Sequence, residues 1–267
     1  KILFHRKFDP AAVLRDVPRA TMLMGVPTFY VRLLQEPGLT HEAVAHMRLF
    51  VSGSAPLLLD TFEAWRSRTG HTILERYGMS EAGMITSNPY EGERRGGTVG
   101  FPLPGNKVRV RDGERECGAN EPGGIEISGP NVFAGYWNMP EKTKEEFTAD
   151  GWFRTGDVGQ WSPDGYLSIV GRAKDLIISG GYNVYPKEIE LVIDAMPGVV
   201  ESAVVGVPHP DFGEAVTAVV VKTRDSALDE AAVIAHVKSQ IANYKVPKRV
   251  AFVDDLPRNA MGKVQKN

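Results

Sequence analysis

Cysteine is all but missing. Cys117 is the only one in 267 residues, so no intrachain disulfide can form, and the usage suits a reducing compartment such as cytosol or an organelle matrix. Long apolar runs are lacking as well: the most apolar early stretch, residues 20–26, meets Pro27 far short of the roughly 20 residues that a bilayer-spanning helix needs. No charged-then-apolar leader precedes it, so no membrane partner is expected. Neither charge sign is in excess. Lys+Arg 31 against Asp+Glu 33 gives a formal net charge of -2, which denies the chain the broad basic footprint used on nucleic acid. Repeats, low-complexity tracts and charge blocks are absent too, and the dispersed charges read as solvated faces.

Metal and hydrolase motifs fail on spacing. His41 and His46 are five residues apart where a zinc-protease helix needs four, and Ala45 stands in the required place. In Gly78-Met79-Ser80-Glu81-Ala82-Gly83 the second glycine comes one residue late for a nucleophile elbow. Gly262-Lys263 would end a Walker loop only with glycine at 257 and a hydroxyl residue at 264, where the chain has Pro257 and Val264.

What remains is an ordinary globular composition, 42% hydrophobic and 24% charged, with length for about two cores of the usual size. Small-molecule chemistry is the expectation. Residues 20–25, 48–53 and 72–75 read as strands, separated by helical patterns over 27–35 and 57–69. In the second helix Leu58, Phe62 and Trp65 share a face and Gly70 supplies the stop. Such alternation predicts the end of a doubly wound parallel α/β layer over residues 1–95. From 96 to 171, Pro102, Pro104, Pro122, Pro130 and Pro163 with Gly123 and Gly124 punctuate short strands, an antiparallel or barrel-like β subdomain. Beyond a break at 172–175, Pro186 starts a helix with Ile189, Ile193 and Met196 on one stripe. Asp229 caps another carrying Val233, Val237 and Ile241, and strands 202–207, 216–222 and 250–253 complete a small α+β domain over 176–267. The chain opens on Lys1 directly into element-like sequence, and is expected to be a fragment.

In a parallel sheet, ligands bind beyond the carboxyl ends of the strands, where Ser54-Ala55-Pro56 and Arg76-Tyr77-Gly78-Met79-Ser80-Glu81 are expected. Small residues let a flat base approach backbone, Tyr77 offers a stacking face, and Glu81 a hard oxygen for Mg²⁺ beside phosphate. With these go Trp152-Phe153-Arg154-Thr155-Gly156-Asp157, Gly171-Arg172-Ala173-Lys174-Asp175, Ile177 to Pro186, and Pro257-Arg258-Asn259-Ala260-Met261-Gly262-Lys263. In order and separation, across nearly the whole chain, these blocks resemble the adenylate-forming superfamily of acyl-CoA synthetases, luciferases and peptide-synthetase adenylation domains.

The resemblance implies ATP, Mg²⁺ and CoA as the small molecules used with a carboxylic acid. It makes Asp157 and Arg172 the ribose contacts and Lys174 a hinge. Ser179, Gly180 and Gly181 become the lining of a pantetheine tunnel, and Lys263, with Glu81 and Ser80, the catalytic set. Lysine suits that task because a point charge on a flexible stem offsets the repulsion of two anions brought together. Glu75-Arg76-Tyr77-Gly78-Met79, with residues 140–143 and 186–190, is most similar to malonyl-CoA synthetases, and implies that Arg76 pairs with the distal carboxylate of malonate.

Ser80 stands where the family usually has threonine, keeping the hydroxyl. The family's Ser/Thr/Gly-rich phosphate loop with lysine occurs nowhere here, so the remaining N-terminal half of the enzyme is expected to supply it. Alternatives are adenylation of another acid, a carrier-protein thiol as acceptor, or a non-catalytic nucleotide-binding fragment.

Overall fold

In the computed structural model, which describes residues 2–258 and 264–266, the chain divides into two units, Lys1–Thr155 with Gly159–Ile169 and Gly156–Val158 with Val170–Asn267. In the first, helix α1 (Pro10–Asp16) begins where the Asp9 carboxylate accepts the Ala12 N–H at 2.8 Å, with Pro10 pre-setting φ. Pro27 does the same for α2 (Pro27–Leu34) after strand β1 (Met22–Gly25). The one-turn α3 (His41–Val44) leads to β2 (Leu49–Ser52), and α4 (Leu59–Thr69) to β3 (Leu74–Met79). Gly70 ends α4 with a φ of 76°, its N–H donating to the Arg66 carbonyl. Strands β1, β2 and β3 pair in parallel, as the alternation of strand and helix predicts.

Trp65 centres the core of this layer. Tyr30 and Phe50 meet its ring edge-on at 4.9 and 5.0 Å, and the Tyr30 hydroxyl donates to the Val51 carbonyl at 2.6 Å, tying α2 to β2. Arg68, at the end of α4, donates to the carbonyls of Leu34, Glu36 and Leu39, satisfying the chain as it leaves α2.

Strand β3 runs past the predicted end at residue 75. From Arg76 to Met79 it turns away from β2 and pairs antiparallel with β4 (Gly83–Ser87), with a register shift between Tyr77 and Gly78. Two glycines make this possible: a Cβ on Gly78 would lie 2.3 Å from the Gly83 carbonyl oxygen, and Gly83 takes a φ of 61°. The motif is therefore a β-hairpin, not the loop expected from sequence. β5 (Phe101–Pro102) extends the same sheet, so the composition shift at residue 96 is not a sheet boundary.

The barrel-like closure is not made. β6 (Lys107–Asp112), β7 (Arg115–Glu116), β8 (Gly123–Ser128), β9 (Phe153–Trp161) and β10 (Leu167–Arg172) form one open sheet in the order β10-β9-β8-β6-β7, with α5 (Pro140–Glu146) in the β8–β9 connection. Val110, Ile125, Ile127, Phe153 and Leu167 bury one face of it.

In the second unit, β11 (Ile177–Ser179) and β12 (Tyr182–Val184) form a hairpin that the sequence reading passes over. After it come α6 (Pro186–Asp194), β13 (Val199–His209), β14 (Gly213–Lys222), α7 (Glu230–Gln240) and β15 (Arg249–Val253), the expected α-β-β-α-β order. β13 and β14 pair antiparallel over their whole length and β15 joins β14 in parallel. The predicted stripe of Ile189, Ile193 and Met196 packs with Val233 and Val237 on Val204, Val216 and Val220. The Asp229 carboxylate caps α7, accepting the Ala232 N–H at 2.8 Å. No helix among the described residues is long and apolar enough to cross a membrane.

Candidate active site

Two stretches of the first unit come together as the sequence suggests, though one is strand. Ser52 pairs with Glu75 in the β2–β3 register, and beyond it the chain enters the loop 53–57. Ser54, Ala55 and Pro56 are exposed, and Ser54 holds a φ of 69°, a left-handed conformation that a residue with a side chain adopts at a cost. Arg76 lays its guanidinium on Gly53, where a Cβ would lie 2.9 Å from Cζ and Nη1, so a side chain at 53 would displace the guanidinium. The Arg76 Nε is buried without a hydrogen-bond partner among the described residues. An unpaired guanidinium nitrogen at such a place is costly, and an anionic ligand would satisfy it.

Tyr77, Gly78 and Met79 are half-buried along β3, and Ser80 is exposed at the hairpin turn. Glu81 follows, its Oε1 accepting the Tyr136 hydroxyl at 3.1 Å while its carbonyl accepts the Phe133 N–H. Burial first, then the hydrogen bond to the carboxylate, push the Tyr136 phenol up to about 12, so it remains a donor at neutral pH. Among the described residues no group of three or more His, Cys, Asp or Glu could cage a metal. A lone oriented carboxylate fits Mg²⁺, which takes one or two protein oxygens and fills its octahedron with phosphate and water.

Glu75, on the same strand, is 5% exposed. Its carboxylate accepts N–H groups from Leu57 at 3.4 Å and Gly97 at 3.1 Å, and burial outweighs both bonds to raise its pKa to about 7. Sequence reading singles out neither the Glu75 carboxylate nor Tyr136. Their partners lie far along the chain, and no local pattern marks them.

In the second unit Asp157 is buried on β9, and Arg172, half-exposed at the end of β10, brings Nε to 2.9 Å from its Oδ1. The expected ribose acceptor and its neighbour thus pair with each other. Lys174 is exposed in a 3-10 turn, Ala173–Asp175. Gly180 and Gly181 form the two-residue turn of the β11–β12 hairpin with φ of 58° and 82°, values that the turn itself demands. The Gly180 N–H donates to the Phe212 carbonyl, and Ser179 beside it is buried. Lys263 lies outside the described residues, between Arg258 and Val264, which form an antiparallel bridge; Lys266 beyond it pairs with Glu190.

The model of the AMP-binding enzyme family matches residues 1–137, and that of the AMP-binding enzyme C-terminal domain matches 188–263. A malonate–CoA ligase of Arabidopsis thaliana is 42% identical over 265 residues, covering 92% of this chain and 43% of the plant protein. A long-chain-fatty-acid–CoA ligase of Yersinia pestis is 40% identical over 267 residues, covering 98% of this chain and 47% of the other. The crystal structure of ATP-bound MatB from Rhodopseudomonas palustris superposes with a TM-score of 0.94 at 62% identity, covering 98% of this chain and 53% of that one. The chain spans about half the length of the curated relatives it matches. With its sheet-edge hairpin, its Asp157–Arg172 pair and matches over both parts of the chain, this protein belongs to the AMP-binding enzymes.

Proposed function

We propose that the full-length protein is an ATP-dependent ligase that joins malonate to CoA through an enzyme-bound malonyl-AMP. In the first half-reaction a malonate carboxylate oxygen attacks the α-phosphorus of ATP and pyrophosphate leaves. In the second, the CoA thiolate attacks the acyl carbonyl and AMP leaves. Each residue takes a part that its chemistry supports. Ser54, Ala55 and Pro56, with Tyr77, Gly78 and Met79, receive the base, and Ser80 offers its hydroxyl to phosphate. Asp157 accepts the ribose hydroxyls with Arg172 beside it. Glu81, held by Tyr136, is the protein ligand for Mg²⁺, which when bound screens the charge of the phosphates. Lys263 offsets the mutual repulsion of the carboxylate and the α-phosphate. Lys174 is the hinge of a domain rotation between half-reactions, with a boundary at 172–175, and Ser179, Gly180 and Gly181 admit the pantetheine arm.

Arg76 supports malonate as the acid. Identity alone does not choose the acid, since relatives named for malonate and for long-chain fatty acids match this chain at 42% and 40%. Arg76 favours malonate, because its buried Nε lacks a partner among the described residues and a planar guanidinium suits a second carboxylate. AMP release from the full-length protein with malonate, methylmalonate and acetate tests this. Turnover of malonate well above acetate is expected. Equal turnover would remove the role given to Arg76, and no AMP from any acid would overturn the ligase reading.

A further inference from the structure

Glu75 and Arg76 are successive residues of β3, and each reaches the loop 53–57 in a different way. Arg76 covers Gly53 at the loop's start, where the Gly53 N–H also donates to the Gly25 carbonyl at 3.3 Å. Glu75 takes the loop's other end through the Leu57 N–H. Ser54, with its left-handed φ, lies between these two contacts, and only the Glu75 one is a hydrogen bond to the loop. The second oxygen of Glu75 accepts the Gly97 N–H, from a turn pressed on α4 so closely that a Cβ on Gly96 would lie 2.9 Å from the side chains of Leu59 and Phe62. One carboxylate thus joins the loop, the turn and the start of α4.

Burying a carboxylate costs folding free energy that a glutamine in the same space would spare. Glutamine, however, presents one acceptor oxygen and an amide donor, and cannot serve two N–H groups with its two ends. Shape alone does not call for an acid here; fixing two separate amides at once does.

We propose that Glu75 is a positioning residue for the adenine nucleotide, its ionised carboxylate holding residues 53–57 in the strained form that receives the base. The inference rests on the nucleotide role proposed above for this loop. When one amide is released, Ser54 can relax to an ordinary backbone conformation, and the surface offered to the base changes while the strands beneath it stay in place.

Calorimetry with AMP and steady-state kinetics on the full-length protein test this with Glu75→Gln. AMP affinity is expected to fall about tenfold, with the ATP KM rising in step, while kcat at saturating ATP and the malonate KM hold within about twofold. The melting temperature is expected not to fall. Should the glutamine variant fail to fold, Glu75→Asp carries the test, since it keeps the charge but is one methylene too short to bridge both amides, and the same loss of AMP affinity is expected. Unchanged AMP affinity in the folded variant would overturn the proposal, as would equal changes in every KM together with a lowered melting temperature. Wild-type protein that bound no AMP would remove the nucleotide reading and this inference together. Wild-type binding with an indifferent variant would remove the inference alone.

Discussion

Arg172 brings its Nε to 2.9 Å from Asp157 Oδ1, and Asp157 is buried while Arg172 stays half-exposed. A buried carboxylate already held by a neighbouring guanidinium is oriented before any ligand arrives, so little rotamer freedom is lost when it accepts hydroxyls. Asp157→Asn keeps the size and removes the charge. A charge-assisted hydrogen bond of about 1.5–3 kcal/mol corresponds to roughly a ten- to hundredfold loss of AMP affinity, measured by calorimetry on the full-length protein. An equal loss for adenine alone, which has no ribose, would contradict the assignment.

Arg76 makes a prediction about choice of acid, separable from catalysis. Arg76→Ala in the full-length protein should lower kcat/KM for malonate by roughly ten- to hundredfold, the worth of one ionic hydrogen-bonded pair, and leave acetate nearly unchanged. Arg76→Lys is expected to recover part of the malonate activity, because an ammonium keeps the charge but not the planar fork. Parallel losses for malonate and acetate would show that Arg76 supports the Gly53 backbone instead.

Elements whose causes are local are legible in the sequence. Pro27, Gly70, Pro186 and Asp229 each mark a helix end through their own backbone or cap chemistry, and each marks it correctly. The β3–β4 hairpin is not legible in that way. Its signal, Gly78 and Gly83 flanking a short polar turn, looks like loop in sequence because the clash that excludes a Cβ at Gly78 exists only once β4 is paired. Strand β13 runs from Val199 to His209, longer than predicted, since pairing with β14 recruits flanks with no alternation of their own. Tyr136 meets Glu81 across 55 positions and Glu75 meets Gly97 across 22, so neither contact is visible in a window of sequence. The family resemblance is legible because it rests on the types and spacing of the motif residues, not on their contacts.

Lys263 gives the most direct test of the two-step reading. In the first half-reaction two anions approach, and a positioned ammonium contributes more there than in the thiol step, where the adenylate is already neutral at the acyl carbon. Lys263→Ala in the full-length protein is expected to lose on the order of a hundredfold or more in malonate-dependent pyrophosphate exchange. Thioester formation from added malonyl-AMP should fall far less. Exchange at the wild-type rate would refute the lysine's role.

The raised pKa of Glu75 gives a stability prediction with a definite sign. Its carboxyl titrates near 4.5 when unfolded and near 7 when folded, because burial disfavours the charge more than the Leu57 and Gly97 amides favour it. The folded state therefore binds the proton more tightly, and the stabilisation is fully present below about 4.5 and lost as pH rises through about 7. Its size is about 3 kcal/mol by linkage. Denaturant unfolding at pH 5 and pH 8 should show wild type losing stability over that interval relative to Glu75→Gln, which carries no such proton. A variant whose pH dependence matched wild type would place the Glu75 carboxyl in an ordinary, ionised state throughout. The same difference explains how the glutamine protein can match or exceed wild type in stability at pH 8 and still bind nucleotide less well: ionised Glu75 weakens the fold while its two oxygens fix the loop.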